Sequence, residues 1–122
     1  KIYFDPRLQV TYRPRPNLKK LAKQYFQYGR WRRVVSRSHP GTVNLRYLAP
    51  PFALVGTIAS LLFGLLIHPI FYLPAAVYSL FLFISAIFIA KTIREFILLL
   101  AIIPTMHFAW GAGFATSTKV LR

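Results

Sequence analysis

The run LAPPFALVGTIASLLFGLLI, residues 48–67, contains no charged side chain. A helix needs about 20 residues, at about 1.5 Å each, to cross a hydrocarbon layer of about 30 Å. Two further apolar runs follow, at about residues 70–90 and 96–115. The sequence therefore predicts a mainly α-helical membrane protein with three transmembrane helices. The buried core of a large soluble protein is the weaker interpretation, because core helices average only about 11 residues.

Two short breaks separate these apolar runs. The first, HPIFYLP, turns at His68 and Pro69. The second, KTIRE, carries Lys91 and Arg94, whereas 12 of the 16 basic residues lie before residue 47. Because basic loops stay on the cytoplasmic side, we expect the basic N-terminal region and KTIRE in the cytoplasm. Three crossings would then place the His68 turn and the C-terminus on the opposite side.

Small residues recur every fourth position in the first predicted span, at Gly56, Ser60 and Gly64. Such a stripe lets a neighbouring helix approach closely. Incidental small residues facing lipid would give the same pattern. The sequence leaves both interpretations open.

The charge of the chain restricts its chemistry. Its formal net charge is +14, although 56% of its residues are hydrophobic, and its only acidic residues are Asp5 and Glu95. These carboxylates are far apart in sequence, so we expect no carboxylate pair to bind a metal ion or to act as a general base. The chain has no cysteine, which excludes disulfides and thiolate metal sites. His39, His68 and His107 are too scattered to predict a shared metal site.

The N-terminal region divides into an extended part and a helical part. LQVTYR, residues 8–13, alternates apolar and polar side chains and predicts a short strand. RPRP then favours an extended link, because proline disfavours helix in the residue before it. Asn17 is a plausible N-cap for a helix that runs to about Ser38.

This predicted helix is amphipathic. Leu18, Leu21, Ala22, Tyr25 and Gly29 fall within one arc, and basic residues surround them. The pattern is typical of a helix lying in the membrane interface. We thus divide the chain into an extended link (1–16), an interface helix with its linker (17–47), a transmembrane region (48–116) and a tail (117–122).

A second face of the same helix carries Gln27, Arg30 and Trp31, because spacings of three and four residues share a helical face. Tryptophan can stack on the C–H surface of a sugar ring. The arginine fork pairs with phosphate oxygens, and glutamine can hold a hydroxyl or a phosphate. Together, these three side chains could bind a sugar that is attached to a diphosphate or lies next to one. A tryptophan anchored among headgroups, with arginine on lipid phosphates, is the competing interpretation.

These residues stand in QYGRW, which resembles the Q-x-x-R-W motif of membrane-embedded family 2 glycosyltransferases, a group that includes cellulose and hyaluronan synthases and bacterial exopolysaccharide enzymes. The surrounding YRPRPNLKKLAKQYFQYGRWRRVVSRSHPGTVNLRYLAPP looks like the segment that follows the catalytic domain in succinoglycan-type members. The resemblance is close over residues 2 to about 51. Over the apolar runs it is limited to the architecture, in which transmembrane helices follow the interface helix.

The resemblance implies acceptor stacking for Trp31 and diphosphate contact for Gln27 and Arg30. It implies a bacterial inner-membrane protein that moves sugar from a nucleotide-sugar donor to a lipid-linked or glycan acceptor. A divalent ion such as Mg²⁺ or Mn²⁺ would bind a catalytic domain, in the same or a separate polypeptide. The carboxylates for that chemistry are missing from this chain, so we expect no catalytic residue, metal site or cofactor in it.

Two other classes of function compete with this one. The first is a non-enzymatic membrane protein whose basic interfacial helix binds anionic lipid or a partner subunit. The second is a nucleic-acid binder, since KKLAKQYFQYGRWRR interleaves cations and aromatics. Nucleic acid is the disfavoured partner, because cytoplasmic juxtamembrane segments collect the same residues to hold anionic lipid of the bilayer.

Overall fold

The computed structural model describes residues 15–39, 41–42 and 44–118. Helix accounts for 85% of them, in four α-helices and two short 3-10 turns. The α-helices are α1 (Leu18–Ser38), α2 (Ala49–Leu66), α3 (Leu73–Ile89) and α4 (Ile93–Thr116), and the 3-10 turns are Leu45–Tyr47 and Pro69–Tyr72. The mainly α-helical prediction is confirmed. The predicted strand at residues 8–13 lies outside the described residues.

Helix α1 begins and ends where its sequence predicts. The Asn17 side chain accepts a hydrogen bond from the Lys20 amide at 2.9 Å, which satisfies one of the free amides of the first turn. At the other end the amide of His39 donates to the Val35 carbonyl, and proline follows in the sequence. The amphipathic helix predicted from Asn17 to about Ser38 is thus confirmed as a helix.

Among the described residues, three segments are long enough and apolar enough to cross a membrane: Ala49–Leu66, Pro69–Ile89 and Ile93–Thr116. Their bounds lie close to the three predicted runs. Prolines stand in the first turns of α2 and α3, where a missing amide proton costs nothing.

Helices α2 and α3 form a hairpin closed by two small residues of α2. The hydroxyl of Ser60 donates to the Phe71 carbonyl at 2.5 Å and accepts from the Ala75 amide at 3.1 Å. Gly64 lies against the ring of Tyr72, so close that a Cβ would overlap the ring. Gly56 has nothing within 4 Å of a Cβ position. Two of the three small residues therefore make a close contact, and the third does not.

Helix α4 contacts all three other α-helices. On the hairpin side, the Tyr78 hydroxyl lies 3.0 Å from His107 Nδ1, and Gly111 lies against the Pro50 carbonyl at the start of α2. Pro104 lies inside α4 and cannot donate to the carbonyl one turn earlier. Helix α1 packs along another side of α4, and this contact positions the candidate site.

Candidate functional site

Helices α1 and α4 approach closely enough for their backbones to touch. Gly29 is buried against the Trp110 carbonyl, and a Cβ on it would come within 2.8 Å of the Phe114 amide nitrogen. Gly113 of α4 lies in the same way against the Phe26 carbonyl. Glycines on both helices permit this contact, since any larger residue would meet backbone atoms.

The contact continues to the C-terminal end of both helices. The hydroxyl of Ser117 donates to the Arg30 carbonyl at 3.2 Å. The guanidinium of Arg37 donates to the carbonyls of Ser117 and Thr118, at 3.1 and 2.8 Å. Ser117 is only 6% exposed, so the beginning of the predicted tail (117–122) packs on α1.

The same contact extends to the N-terminal end of α1. Leu18 and Leu21 line one cavity together with Leu98 and Ala101 of α4. Contacts therefore advance in the same order along the two helices, from the first turn of α1 to its last. Helices α1 and α4 lie side by side and run in the same direction.

This packing involves the arc that the sequence assigns to the membrane interface, and it buries Gly29 of that arc. Gly29 touches α4, and Leu18 and Leu21 share a cavity with it. A protein helix and a lipid surface both offer apolar atoms, so an amphipathic pattern alone does not distinguish them.

The opposite face of α1 carries two of the three predicted site residues. Trp31 is 58% exposed, the neighbouring Tyr28 is 50% exposed, and Gln27 is exposed as well. Gln27 lines a cavity of about 270 Å³ together with Lys20, Lys23 and other polar residues of this face.

Trp31 lines a second, larger cleft of about 560 Å³. Helix α1, the 3-10 turn, the start of α2 and helix α4 all contribute to it. Its lining residues are Tyr28, Trp31, Arg32, Val35, Arg46, Tyr47, Pro50 and Trp110. We call it the aromatic cleft. Tyr28 lines both cavities, so they adjoin, and Gln27 and Trp31 lie on either side of it.

Arg30 differs in position from Gln27 and Trp31. Its side chain is half-buried and lines neither of these two cavities. Its carbonyl is engaged by Ser117 of the C-terminal segment. The structure thus brings Gln27 and Trp31 to one exposed face and places Arg30 at the edge of the contact with α4.

Two arginines converge on Tyr47 in the aromatic cleft. The Arg32 guanidinium lies 3.7 Å from the centre of the Tyr47 ring, and its Nη2 donates to the Thr42 carbonyl at 2.5 Å. The Arg46 guanidinium lies 5.3 Å from the same ring centre and donates to the Tyr47 hydroxyl at 3.4 Å. The hydrogen bond from Arg46, followed by the positive charge of Arg32, lowers the pKa of Tyr47 below its usual value.

Of the eight residues that line this cleft, only Trp31 figured in the site predicted from sequence; among those missed are Arg32, Arg46, Tyr47 and Trp110. The sequence could have pointed to Arg46 and Tyr47, because they directly precede the first apolar run, where basic and aromatic residues are typical of a membrane boundary. Trp110 had no such signal, because only the packing of α4 on α1 brings it near Trp31.

The described residues show no group of three or more His, Asp or Glu side chains that could hold a metal ion. Glu95, the acidic residue within the described ranges, accepts a hydrogen bond from the Lys91 amide at 2.7 Å. It lies in the first turn of α4, binds back to the residue before the N-cap Thr92, and does not line the aromatic cleft.

Comparison of the chain with protein-family models, curated proteins and solved structures finds no match in any of the three.

Proposed function

We propose that this chain is the membrane-anchoring and acceptor-side segment of a family 2 glycosyltransferase of the bacterial inner membrane. The enzyme would move a sugar from a nucleotide-sugar donor to a lipid-linked or glycan acceptor. Metal binding and acid–base chemistry would belong to a catalytic domain that docks on the basic N-terminal region from the cytoplasm. Helix α1 would then lie at the membrane interface.

The exposure of Trp31 is the observation that supports this proposal most. The opposite face of α1 is occupied by α4, so Trp31 is free to stack on a ligand. Gln27 lies one turn away on the same exposed face. An aromatic platform beside an amide, directly before apolar helices, is the arrangement that a sugar acceptor at the membrane surface requires.

Arg30 would act from the edge of this face. In this proposal its half-buried side chain extends outward, and its guanidinium binds a diphosphate as a planar pair of donors. Lysine at this position would keep the charge and lose the fork. Arg30→Lys therefore separates a diphosphate contact from general attraction to anionic headgroups.

The experiment measures sugar transfer in membranes that contain the chain together with its catalytic domain. Radiolabelled UDP-glucose, UDP-galactose and GDP-mannose serve as donors. We expect Arg30→Lys to slow transfer by roughly ten- to a hundred-fold, the effect of losing one charge-assisted contact in the transition state. Trp31→Ala, which removes the stacking surface for the sugar, should also severely slow transfer. Membrane insertion should be unchanged.

Arg94→Lys is the matched control, because Arg94 is exposed in the first turn of α4 and lines neither of the two cavities. It should leave transfer within about twofold of wild type, as expected for a surface substitution. Equal activity of Arg30→Lys, Trp31→Ala and Arg94→Lys would refute the glycosyltransferase proposal. It would favour the non-enzymatic alternative, a basic membrane protein that binds anionic lipid or a partner subunit.

A further inference from the structure

We infer that the aromatic cleft binds the phosphate headgroup of a membrane lipid, with Arg32 and Arg46 as the phosphate-binding residues. The inference does not depend on the glycosyltransferase proposal. Its two phosphate-binding residues lie outside the Q-x-x-R-W motif, although Trp31 of the motif also lines the cleft.

The charge of the cleft supports an anionic ligand. Two guanidinium groups contact Tyr47 in the cleft. That of Arg32 lies against the Tyr47 ring, and that of Arg46 donates to the Tyr47 hydroxyl. In the described part of the chain the single carboxylate, that of Glu95, is engaged at Lys91. Two arginines in one cleft without an acidic partner among the described residues repel each other, and a phosphate between them would relieve that repulsion.

The hydrogen bonding of Arg32 points the same way. Its Nη2 donates to Thr42, but its Nε is buried and has no hydrogen-bond partner within the described ranges, as is also true of the Nε of Arg33 outside the cleft. A buried donor without a partner is unfavourable. If the Arg32 guanidinium turns toward the cleft, a phosphate oxygen there provides the missing acceptor.

The walls of the cleft select a lipid over a small soluble anion. Trp31, Tyr47 and Trp110 line it, and Val35 and Pro50 add further apolar surface. Pro50 belongs to the first turn of α2, an apolar helix long enough to cross a membrane. The cleft therefore opens where a membrane-spanning segment begins, the depth at which lipid phosphates lie and aromatic side chains accumulate.

The test uses the intrinsic fluorescence of the protein. The chain contains two tryptophans, Trp31 and Trp110, and both line this cleft. The whole chain, purified in neutral-detergent micelles, is titrated with short-chain phosphatidic acid. We expect a saturable change in tryptophan fluorescence. The matching diacylglycerol, which lacks the phosphate, should give none.

Substitutions then locate the binding site. Arg46→Gln and Arg32→Gln should each weaken the apparent affinity about tenfold, the usual effect of losing one charge-assisted hydrogen bond. Arg94→Gln removes the same charge outside the cleft and should change the affinity less than twofold. Arg46 is exposed, so its substitution does not threaten the fold. Far-ultraviolet circular dichroism of each variant should match wild type.

Three results would overturn the inference. Equal weakening by all three substitutions would mean bulk attraction of a basic protein for acidic micelles. An equal response to diacylglycerol would mean an apolar site without phosphate recognition. Saturation by inorganic phosphate at the same concentrations would mean a free-anion site and not a lipid site.

Discussion

The α1–α4 pair and the α2–α3 hairpin are both two-helix units, but they are held together differently. The α1–α4 pair places backbone against backbone through Gly29 and Gly113. The hairpin is joined mainly by the Ser60 hydroxyl and by Gly64 against an aromatic ring. Close backbone packing buries Gly29 and leaves the rest of the apolar arc of α1 partly exposed, whereas most apolar side chains of the hairpin point outward.

The outward faces of the two units suit different surroundings. Phe88 of the hairpin is 86% exposed, and Leu65 and Leu66 are each 75% exposed. Such a continuous apolar surface is stable in lipid and not in water. The outward face of α1 instead carries lysines, Gln27 and Trp31, which require water or headgroups. One chain therefore combines an apolar outer surface on the hairpin with a polar outward face on α1.

The largest expected effect concerns the side of the membrane on which the chain ends. Helix α1 carries seven cations, Lys19, Lys20, Lys23, Arg30, Arg32, Arg33 and Arg37. Each would cost about 2.5–3.5 kcal/mol at the bilayer centre. Because α4 lies alongside α1, we expect α4 to stay with it at the cytoplasmic surface. A reporter fused after Arg122 should therefore be cytoplasmic, in contrast to the three crossings predicted from length and composition.

A reporter inserted after His68, between α2 and α3, is the control for this topology. It should lie across the membrane whether α4 crosses or not. A reporter after Arg122 that also lies across the membrane would contradict the predicted cytoplasmic position of the C-terminus. It would mean that α4 spans the bilayer like the hairpin helices and that α1 separates from it there.

The next effect tests the glycine contact of the α1–α4 pair. In Gly113→Ala the new Cβ would overlap the Phe26 carbonyl, and backbone atoms cannot move aside as a side-chain tip can. We expect a loss of about 1–3 kcal/mol in the free energy of unfolding, the usual cost of overpacking. Denaturant unfolding in detergent, followed by circular dichroism, measures it.

Gly56→Ala is the matched control within the hairpin, since nothing lies within 4 Å of its Cβ position. Alanine favours helix over glycine by up to about 1 kcal/mol, so this variant should be as stable as wild type or slightly more stable. If Gly113→Ala is stabilised as Gly56→Ala is, the close contact between Gly113 and the Phe26 carbonyl is contradicted.

The smallest effect tests the hydrogen bonds of the hairpin. Ser60→Ala removes the hydroxyl that joins the Phe71 carbonyl and the Ala75 amide. We expect a loss of about 0.5–1.5 kcal/mol, because hydrogen bonds between apolar helices are worth little more than in water. Ser79→Ala removes a hydroxyl bonded only within its own helix and should cost less than that. Equal costs would mean that Ser60 does not hold the hairpin.

Local signals in the sequence predicted the helices well. Asn17 as an N-cap, proline after His39 and the uncharged apolar runs act within a few residues, so their effect can be deduced without knowing the fold. The same holds for the shared face of Gln27 and Trp31, which follows from helical spacing alone.

The tertiary contacts could not be predicted in this way. Gly29 was recognised as part of an apolar arc, but its partner Trp110 lies far along the chain, and no local pattern links the two. The aromatic cleft depends on that partner, and so does the edge position of Arg30. A single sequence shows which face of a helix is apolar, but not whether lipid or another helix covers it.

Pro104 gives α4 a mechanical property that follows from its position. Without an amide proton, Pro104 leaves the Leu100 carbonyl without its usual partner, while Thr105 donates its hydroxyl to the Ala101 carbonyl. Bending stiffness is therefore lowest at this point of α4. Helix α1 touches both halves of α4, but differently: the half after Pro104 meets it backbone against backbone at Trp110 and Gly113, whereas Leu98 and Ala101 before Pro104 only line a shared cavity with it. A displacement of α1 would therefore be transmitted most directly to the half after Pro104, and the helix would yield first at Pro104.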